Sequence, residues 1–368
     1  MNNHIYLLVC LGLIMLCTSC EQSHDYFEFD KSIYLEREKG CNEYGYMQCC
    51  HYQGQEVLIA NPKHSTALYI HKIDGGKYIQ KLHLPSYQSI RGFYYDNDSS
   101  IYYCPNYSTE VLRYNIFSQK LDTIVNMTLD LVVQYIQEGI NVGCGVEFMC
   151  GMSTPLWAND SQIIVGNVVH QDCAKDAQIP LYVFMLENNK TPRLITNIGK
   201  FPQSYFEKGK TIAPFNGCAM YCINDEGQII VSHTADHNLY VFQNSVLTKT
   251  IECKSRCIER LPPLIKDKDV INSKLMEKRE FEFPFYSGIF YDNYRKNYYR
   301  LTTHLHQDSQ KQDECSIMIL DEELKILGEQ LFKNIGVAPI VCIDGVLLVR
   351  PDDYSGKTKL DLYRIKKQ

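Results

Sequence analysis

The sequence lacks any surplus of positive charge: 37 Lys and Arg stand against 43 Asp and Glu, a formal net charge of −6. Binding through phosphates needs clustered cations, so nucleic acid is excluded as an electrostatic partner. Beyond the first 20 residues no apolar run reaches the roughly 18 residues that a spanning helix requires. Tryptophan is nearly missing, with Trp157 alone against 27 Tyr and 15 Phe. Neither a G-x-S-x-G elbow nor an H-E-x-x-H pair occurs, so the strongest local signals of acyl transfer and zinc proteolysis are absent. Two Gly-Lys-Thr tripeptides, at 209–211 and 356–358, fail as phosphate loops, because the glycine needed five residues earlier is Ser204 in one and Pro351 in the other. Gly143-Cys144-Gly145 fails as a dinucleotide fingerprint, since Phe148 takes the third glycine's place. No cofactor is expected.

What is present points to a β-rich globular chain in the cell envelope. Charged residues at 22% and hydrophobics at 45% are those of a folded protein, and the excess of Tyr and Phe suits half-buried pleated surfaces. Residues Ile5 to Leu16 (IYLLVCLGLIML) form an apolar run worth about 18 Å as a helix, too short for a hydrocarbon core of about 30 Å. Small residues Cys17-Thr18-Ser19-Cys20 and polar Glu21-Gln22-Ser23 follow at once, the pattern of a secretory signal with its cleavage site. The stretch LCTSC resembles the lipobox of bacterial lipoproteins, which implies a signal peptide over 1–19, lipid attachment at Cys20 and a mature chain held to the membrane by that lipid. Residues 20–30 then read as a tether and 31–368 as the folded body.

The body repeats one pattern six times. A polar turn precedes a strand of β-branched and aromatic residues: EVLIA (56–60), SIYYC (100–104), QIIVG (162–166), QIIVS (228–232), NYYRL (297–301) and VLLVR (346–350). A further strand follows each, centred on Tyr69, Tyr114, Tyr182, Tyr240, Met318 and Tyr363. The shortest interval between these centres, 45 residues, is the size of a four-stranded propeller blade, and the longer ones carry insertions. The fold class predicted is all-β, a six-bladed β-propeller with a short helical or irregular insertion near 254–284, where Ile265, Val270, Ile271 and Leu275 approach helical spacing. Closure is expected from an N-terminal strand near Ile33 to Leu35 added to the last blade, which removes exposed edges.

Sixteen cysteines are the unusual feature. Setting aside Cys10, Cys17 and Cys20 leaves 13, an odd number that cannot all pair. Several, such as Cys104 and Cys342, fall on blade strands, where a thiol packs as a small apolar group. His304 and His306, with Asp308 and Cys315, could approach a metal from one loop, but no fourth ligand is fixed by spacing and no metal is expected. Aromatic runs such as Phe93-Tyr94-Tyr95, Tyr102-Tyr103 and Tyr298-Tyr299 can offer at most half their rings to a site, because consecutive strand residues face opposite ways.

The segments YSGIFYDNYRKNYYRL (286–301), SIMILDEELKILGE (316–329) and LYIHKIDGGKYIQKLHLPSYQSIRGFYYDNDSSIYY (68–103) resemble an uncharacterised family of Bacteroidota lipoproteins, a domain of unknown function with a TolB-like β-propeller. The resemblance implies a propeller fold and an envelope location, and no activity. The function expected is that of a non-catalytic envelope lipoprotein whose propeller binds or scaffolds a protein or glycan partner, with Trp157, Tyr291 and Arg295 as rim contacts. The alternative is a propeller hydrolase or lyase acting on a glycan or peptide, which would need carboxylates such as Glu147, Asp160 and Asp225 to converge.

Overall fold

A computed structural model describes residues 26–37, 43–138, 148–167, 180–186, 192–195, 198–212, 219–269, 272–305, 313–333, 335, 339–350 and 357–366. Strand β1 (Phe27–Glu36) opens the described chain. Blade 1 is β2 (Tyr44–Tyr52), β3 (Gln55–Pro62), β4 (Ala67–Lys72) and β5 (Tyr78–His83). Blade 2 is β6 (Ile90–Asn97), β7 (Ser100–Pro105), β8 (Glu110–Asn115) and β9 (Lys120–Asn126), after which helix α1 (Leu129–Gln137) leads to blade 3. There β10 (Phe148–Met149) and β11 (Trp157–Ala158) share one edge of β12 (Gln162–Asn167), which pairs onward with β13 (Leu181–Met185) and β14 (Arg193–Ile195). A small separate sheet joins β15 (Phe206–Glu207) and β16 (Lys210–Thr211) to a later segment. Blade 4 is β17 (Met220–Ile223), β18 (Ile229–Ser232), β19 (Asn238–Gln243) and β20 (Val246–Glu252). That later segment is β21 (Ile265–Lys266), and helix α2 (Ser273–Glu282) follows it. Blade 5 is β22 (Phe285–Asp292), β23 (Asn297–His304), β24 (Glu314–Leu320) and β25 (Ile326–Lys333). Blade 6 takes β26 (Pro339–Cys342), β27 (Gly345–Val349) and β28 (Lys357–Ile365), with β1 as its fourth strand.

The second and third strands of each blade are apolar on both faces because each blade is packed between two others. In β3, Val57 and Ile59 face blade 2, while Leu58 and Ala60 face blade 6. The same alternation places Tyr102 in the seam toward blade 3 and Tyr103 in the seam toward blade 1. Tyr298 and Tyr299 divide in the same way between blades 4 and 6. The core is therefore six apolar seams. The seam between blades 3 and 4 holds Ile164, Val183, Tyr221 and Val231. That between blades 6 and 1 joins Ile33, Leu347 and Leu360 to Leu58 and Tyr69, and this last seam closes the ring. Closure uses β1, whose Ile33 pairs with Leu360 and whose Leu35 pairs with Thr358 in β28. The six repeat centres Tyr69, Tyr114, Tyr182, Tyr240, Met318 and Tyr363 all lie on third strands.

The insertions differ from the sequence pattern in detail. Strand β1 begins at Phe27 and takes in residues 27–30, which the sequence assigns to the tether. Near 254–284 the helix lies at Ser273–Glu282, capped by Asn272, whose side chain accepts from the Leu275 amide. Ile265 is not on that helix but pairs with Thr211 in the small sheet, and Val270 and Ile271 lie outside the described residues. Helix α1 has no counterpart in the sequence analysis, because LDLVVQYIQ is rich in β-branched and aromatic residues and reads as a strand. Its signal is Thr128, an N-cap whose hydroxyl accepts from the Leu131 amide at 3.3 Å.

Candidate functional site

Each blade contributes its first strand, or in blade 3 also the segment before it, to the wall of a central cavity of about 240 Å³. These strands come from points as far apart in sequence as Tyr46 and Val341, and only ring closure brings them together. Six aromatic residues line the space, Tyr46, Tyr94, Trp157, Tyr221, Phe290 and Tyr291, and of these Tyr46 and Tyr221 are buried in the seams between blades. Met47, Met152, Cys49 and Cys222 add sulfur, and Gln48 is the one side-chain amide. Among the described residues, no Asp, Glu, Lys, Arg or His lines this cavity.

The wall is preorganised. Gln48 mimics a strand: its carbonyl accepts from the Tyr95 amide at 2.9 Å and its amide nitrogen donates to the Tyr95 carbonyl at 3.4 Å, stitching blade 1 to blade 2. The Tyr221 hydroxyl donates at 2.6 Å to the Pro155 carbonyl oxygen, which fixes a ring buried in the seam of blades 3 and 4 behind the wall. Tyr94 and Trp157 meet at 6.3 Å between centroids and 51° between planes. Of the run Phe93-Tyr94-Tyr95, only Tyr94 lines the cavity, while Phe93 and Tyr95 are buried between blades 1 and 2. Gly92 makes the neighbouring seam possible, since a Cβ there would stand 2.4 Å from that of Cys150.

Burial pushes the Cys49 and Cys222 thiols well above the usual range, with Glu56 a further cause at Cys49. Both are therefore protonated at neutral pH, and neither is a ready thiolate nucleophile. Burial, helped by the Asp96 charge, pushes the Tyr94 phenol up to about 12.

The mouth is framed by hairpins that join first to second strands. Trp157 and Tyr291 line the cavity itself. Arg295 does not: its guanidinium is 3.0 Å from the Asp292 carboxylate, 3.2 Å from the Cys342 carbonyl and 2.6 Å from the Ile343 carbonyl. It therefore clamps the hairpin of blade 5 to that of blade 6. Tyr294 reaches further, donating at 2.7 Å to Glu56 of blade 1, which also accepts from the Ile343 amide at 2.9 Å. Blades 5, 6 and 1 are thus tied across one side of the mouth.

Of the carboxylates named for a hydrolytic site, the two described ones, Asp160 and Asp225, do not line the cavity. Asp225 accepts from the Tyr291 hydroxyl at 3.0 Å and pairs with Lys296, and these bonds lower its pKa. Asp160 stands exposed on its hairpin, where its charge adds to burial in raising the Asp96 carboxyl. Glu147 and Cys20 lie outside the described residues, as do His306 and Asp308. His304 ends β23 opposite Glu314, and Cys315 is buried on β24. Among the described residues no group of three or more His, Cys, Asp or Glu could hold a metal ion. The described cysteines are separate thiols, with Cys104 and Cys342 fully buried on second and first strands.

Tyr46, Met47, Met152, Tyr221 and Phe290 are wall residues that sequence reasoning did not single out, while Tyr94 is the member of the Phe93-Tyr94-Tyr95 run that reaches the site. The one signal for them was position, since each precedes a recognisable second strand by about one hairpin.

Residues 193–331 match the family described as "Domain of unknown function (DUF4221)". Among solved structures, a DUF4221 family member from Bacteroides vulgatus superposes with a TM-score of 0.72 at 17% identity, covering 93% of this chain and 98% of its own. A putative exported protein from Bacteroides fragilis does so with a TM-score of 0.53 at 11% identity, covering 93% of this chain and 96% of its own. At these identities the likeness is one of fold. No curated protein matches the chain.

Proposed function

We propose that this propeller is a lipid-anchored module of the bacterial envelope that binds an uncharged group of a protein or glycan partner in its central cavity and does not turn it over. The observation that carries the reading is the wall itself: half-buried Tyr94, Trp157, Phe290 and Tyr291, with no ionisable acid or base among the described lining residues other than phenols and thiols. Aromatic faces stack against sugar rings and planar side chains without needing charge. Glycoside hydrolysis calls for two carboxylates facing one bond, and peptide hydrolysis for an activated nucleophile or metal-bound water. The cavity has room for at least one sugar unit or one side chain.

Trp157 is the sole tryptophan and stands in the wall, so its emission is a built-in probe. Purified Glu21 to Gln368 is titrated with envelope glycans and peptides while Trp157 fluorescence and thermal melting are followed. A true ligand should shift the emission and raise Tm, and Tyr94→Ala should weaken it by at least tenfold. A ligand indifferent to both Tyr94→Ala and Trp157→Ala would remove this site. Cleavage of any offered glycan or peptide would overturn binding without turnover. Fatty-acid labelling of cells expressing wild type and Cys20→Ala tests the anchor, and label retained on the variant would sink it.

A further inference from the structure

All strands within a blade are antiparallel, so the fourth strands of blades 4, 5 and 6 all begin at the same end of the ring, on the face that carries the hairpins. At that end they expose apolar side chains: Val246 (61%) and Leu247 (48%) on β20, Ile326 (47%) and Leu327 (37%) on β25, and Phe29 (52%) on β1. Outer strands are ordinarily blunted by charge. Here β20 reads VLTKTIE, with its charges in the farther half. The described chain also starts here. The Tyr26 hydroxyl donates to the Leu327 carbonyl at 2.9 Å, and its ring lies across Gly328, where a Cβ would stand 2.0 Å from it.

We propose that this lip, built by the starts of β20, β25 and β1, rests on the surface of a lipid bilayer and sets the orientation of the propeller. The proposal rests on lipid attachment at Cys20, which lies six residues before Tyr26. Six residues reach at most about 20 Å when fully extended, so a lipid there keeps this lip against the membrane. The attraction is apolar rather than electrostatic. Lys325 beside Ile326 is paired with Glu323, Lys31 beyond Phe29 with Asp74 at 2.9 Å, and Glu322 is exposed on the same hairpin as Lys325. Such surface pairs leave little net charge to draw anionic lipid. In this pose the cavity mouth, on the hairpin face, opens toward the membrane side.

The test is flotation of unlipidated Glu21 to Gln368 with zwitterionic vesicles of phosphatidylethanolamine and phosphatidylcholine. Wild type should co-float, and Val246→Ser/Leu247→Ser/Ile326→Ser/Leu327→Ser should do so at least about fivefold less, since four exposed side chains lose their burial. Tyr34→Ser/Leu331→Ser, exposed apolar residues at the opposite ends of β1 and β25, should match wild type. Equal flotation of wild type and the fourfold variant overturns the proposal, as does concentration-dependent self-association without flotation, which would make the lip an interface between copies. If the fourfold variant melts early, Leu247→Trp on a Trp157→Phe background replaces it. Vesicles should then shift its emission to the blue, and an unshifted spectrum overturns the proposal. Missing fatty-acid label on the wild type would remove the anchor and leave the flotation result standing, so the two failures are separable.

Discussion

At the residue scale, two buried groups, Arg300 and His233, bear on the stability of the fold. Arg300 on β23 is fully buried, and among the described residues no carboxylate pairs with its guanidinium. It donates instead to the carbonyls of Asp236, His237 and Cys253, at 2.6, 2.6 and 2.7 Å, and its guanidinium carbon lies 3.5 Å from the centre of the Tyr286 ring. One side chain thereby satisfies the turn of blade 4 from within blade 5. Arg300→Met should cost about 3–5 kcal/mol, because it leaves several buried carbonyls unpaired, and a chemical denaturation midpoint measures it. Arg300→Lys should recover little, since one ammonium cannot span the same acceptors. His233 is enclosed by Phe201, Tyr205 and Tyr240, and burial lowers its pKa from 6.5 to about 4. Between those values the unfolded imidazole binds a proton that the folded one does not. Stability from this group is therefore full above pH 6.5 and falls as pH drops toward 4, by about 3 kcal/mol in all. His233→Phe should flatten the dependence of Tm on pH between 7 and 4. An unchanged slope would assign the acid sensitivity to other groups.

At the scale of single elements, the hairpin between β22 and β23 couples fold to site. The buried Asp292 carboxylate accepts from the Tyr294 and Arg295 amides and the Arg295 guanidinium, each at 3.0 Å, and from the Tyr299 hydroxyl at 2.6 Å. Asp292→Ala orphans all of these and should cost about 3 kcal/mol or more. It should also loosen the adjoining Tyr291 in the cavity wall, which ligand affinity would register. Arg295→Ala leaves the carboxylate its three other donors and should cost about 1 kcal/mol by the same denaturant measurement. A larger loss for Arg295→Ala than for Asp292→Ala would place the hinge of this hairpin on the arginine. Helix α1 shows the opposite case, where Leu131 and Tyr135 bury against the seam of blades 2 and 3 while Leu129, Val133 and Ile136 stay exposed.

At the scale of the whole molecule, stability depends on closing the ring. Six seams are each shared by two blades, so opening one exposes apolar faces on both sides and an unpaired edge on β28. Removing residues 1–37 should leave a chain that aggregates instead of folding, and Ile33→Asp should approach the same result, because its side chain lies in the seam between blades 6 and 1. Size-exclusion chromatography and thermal melting decide it. A soluble, cooperatively melting chain without β1 would show that five complete blades and three strands suffice.

The sequence by itself determined the number of units, their second and third strands and the strand that closes the ring. These follow from alternation and turn residues, which are local along the chain: each QIIV-type strand is apolar throughout because any blade must offer both faces to neighbours. Tertiary structure alone decided which side of each strand meets the cavity. Tyr94 and Phe93 are adjacent and chemically alike, yet one lines the cavity and the other fills a seam, a choice set by how blade 2 packs on blades 1 and 3. Arg295 reads as a free rim cation until blade 6 brings the Cys342 and Ile343 carbonyls against it. The wall is gathered from six first strands far apart in sequence, and no local pattern records a convergence that exists only once the ring is closed.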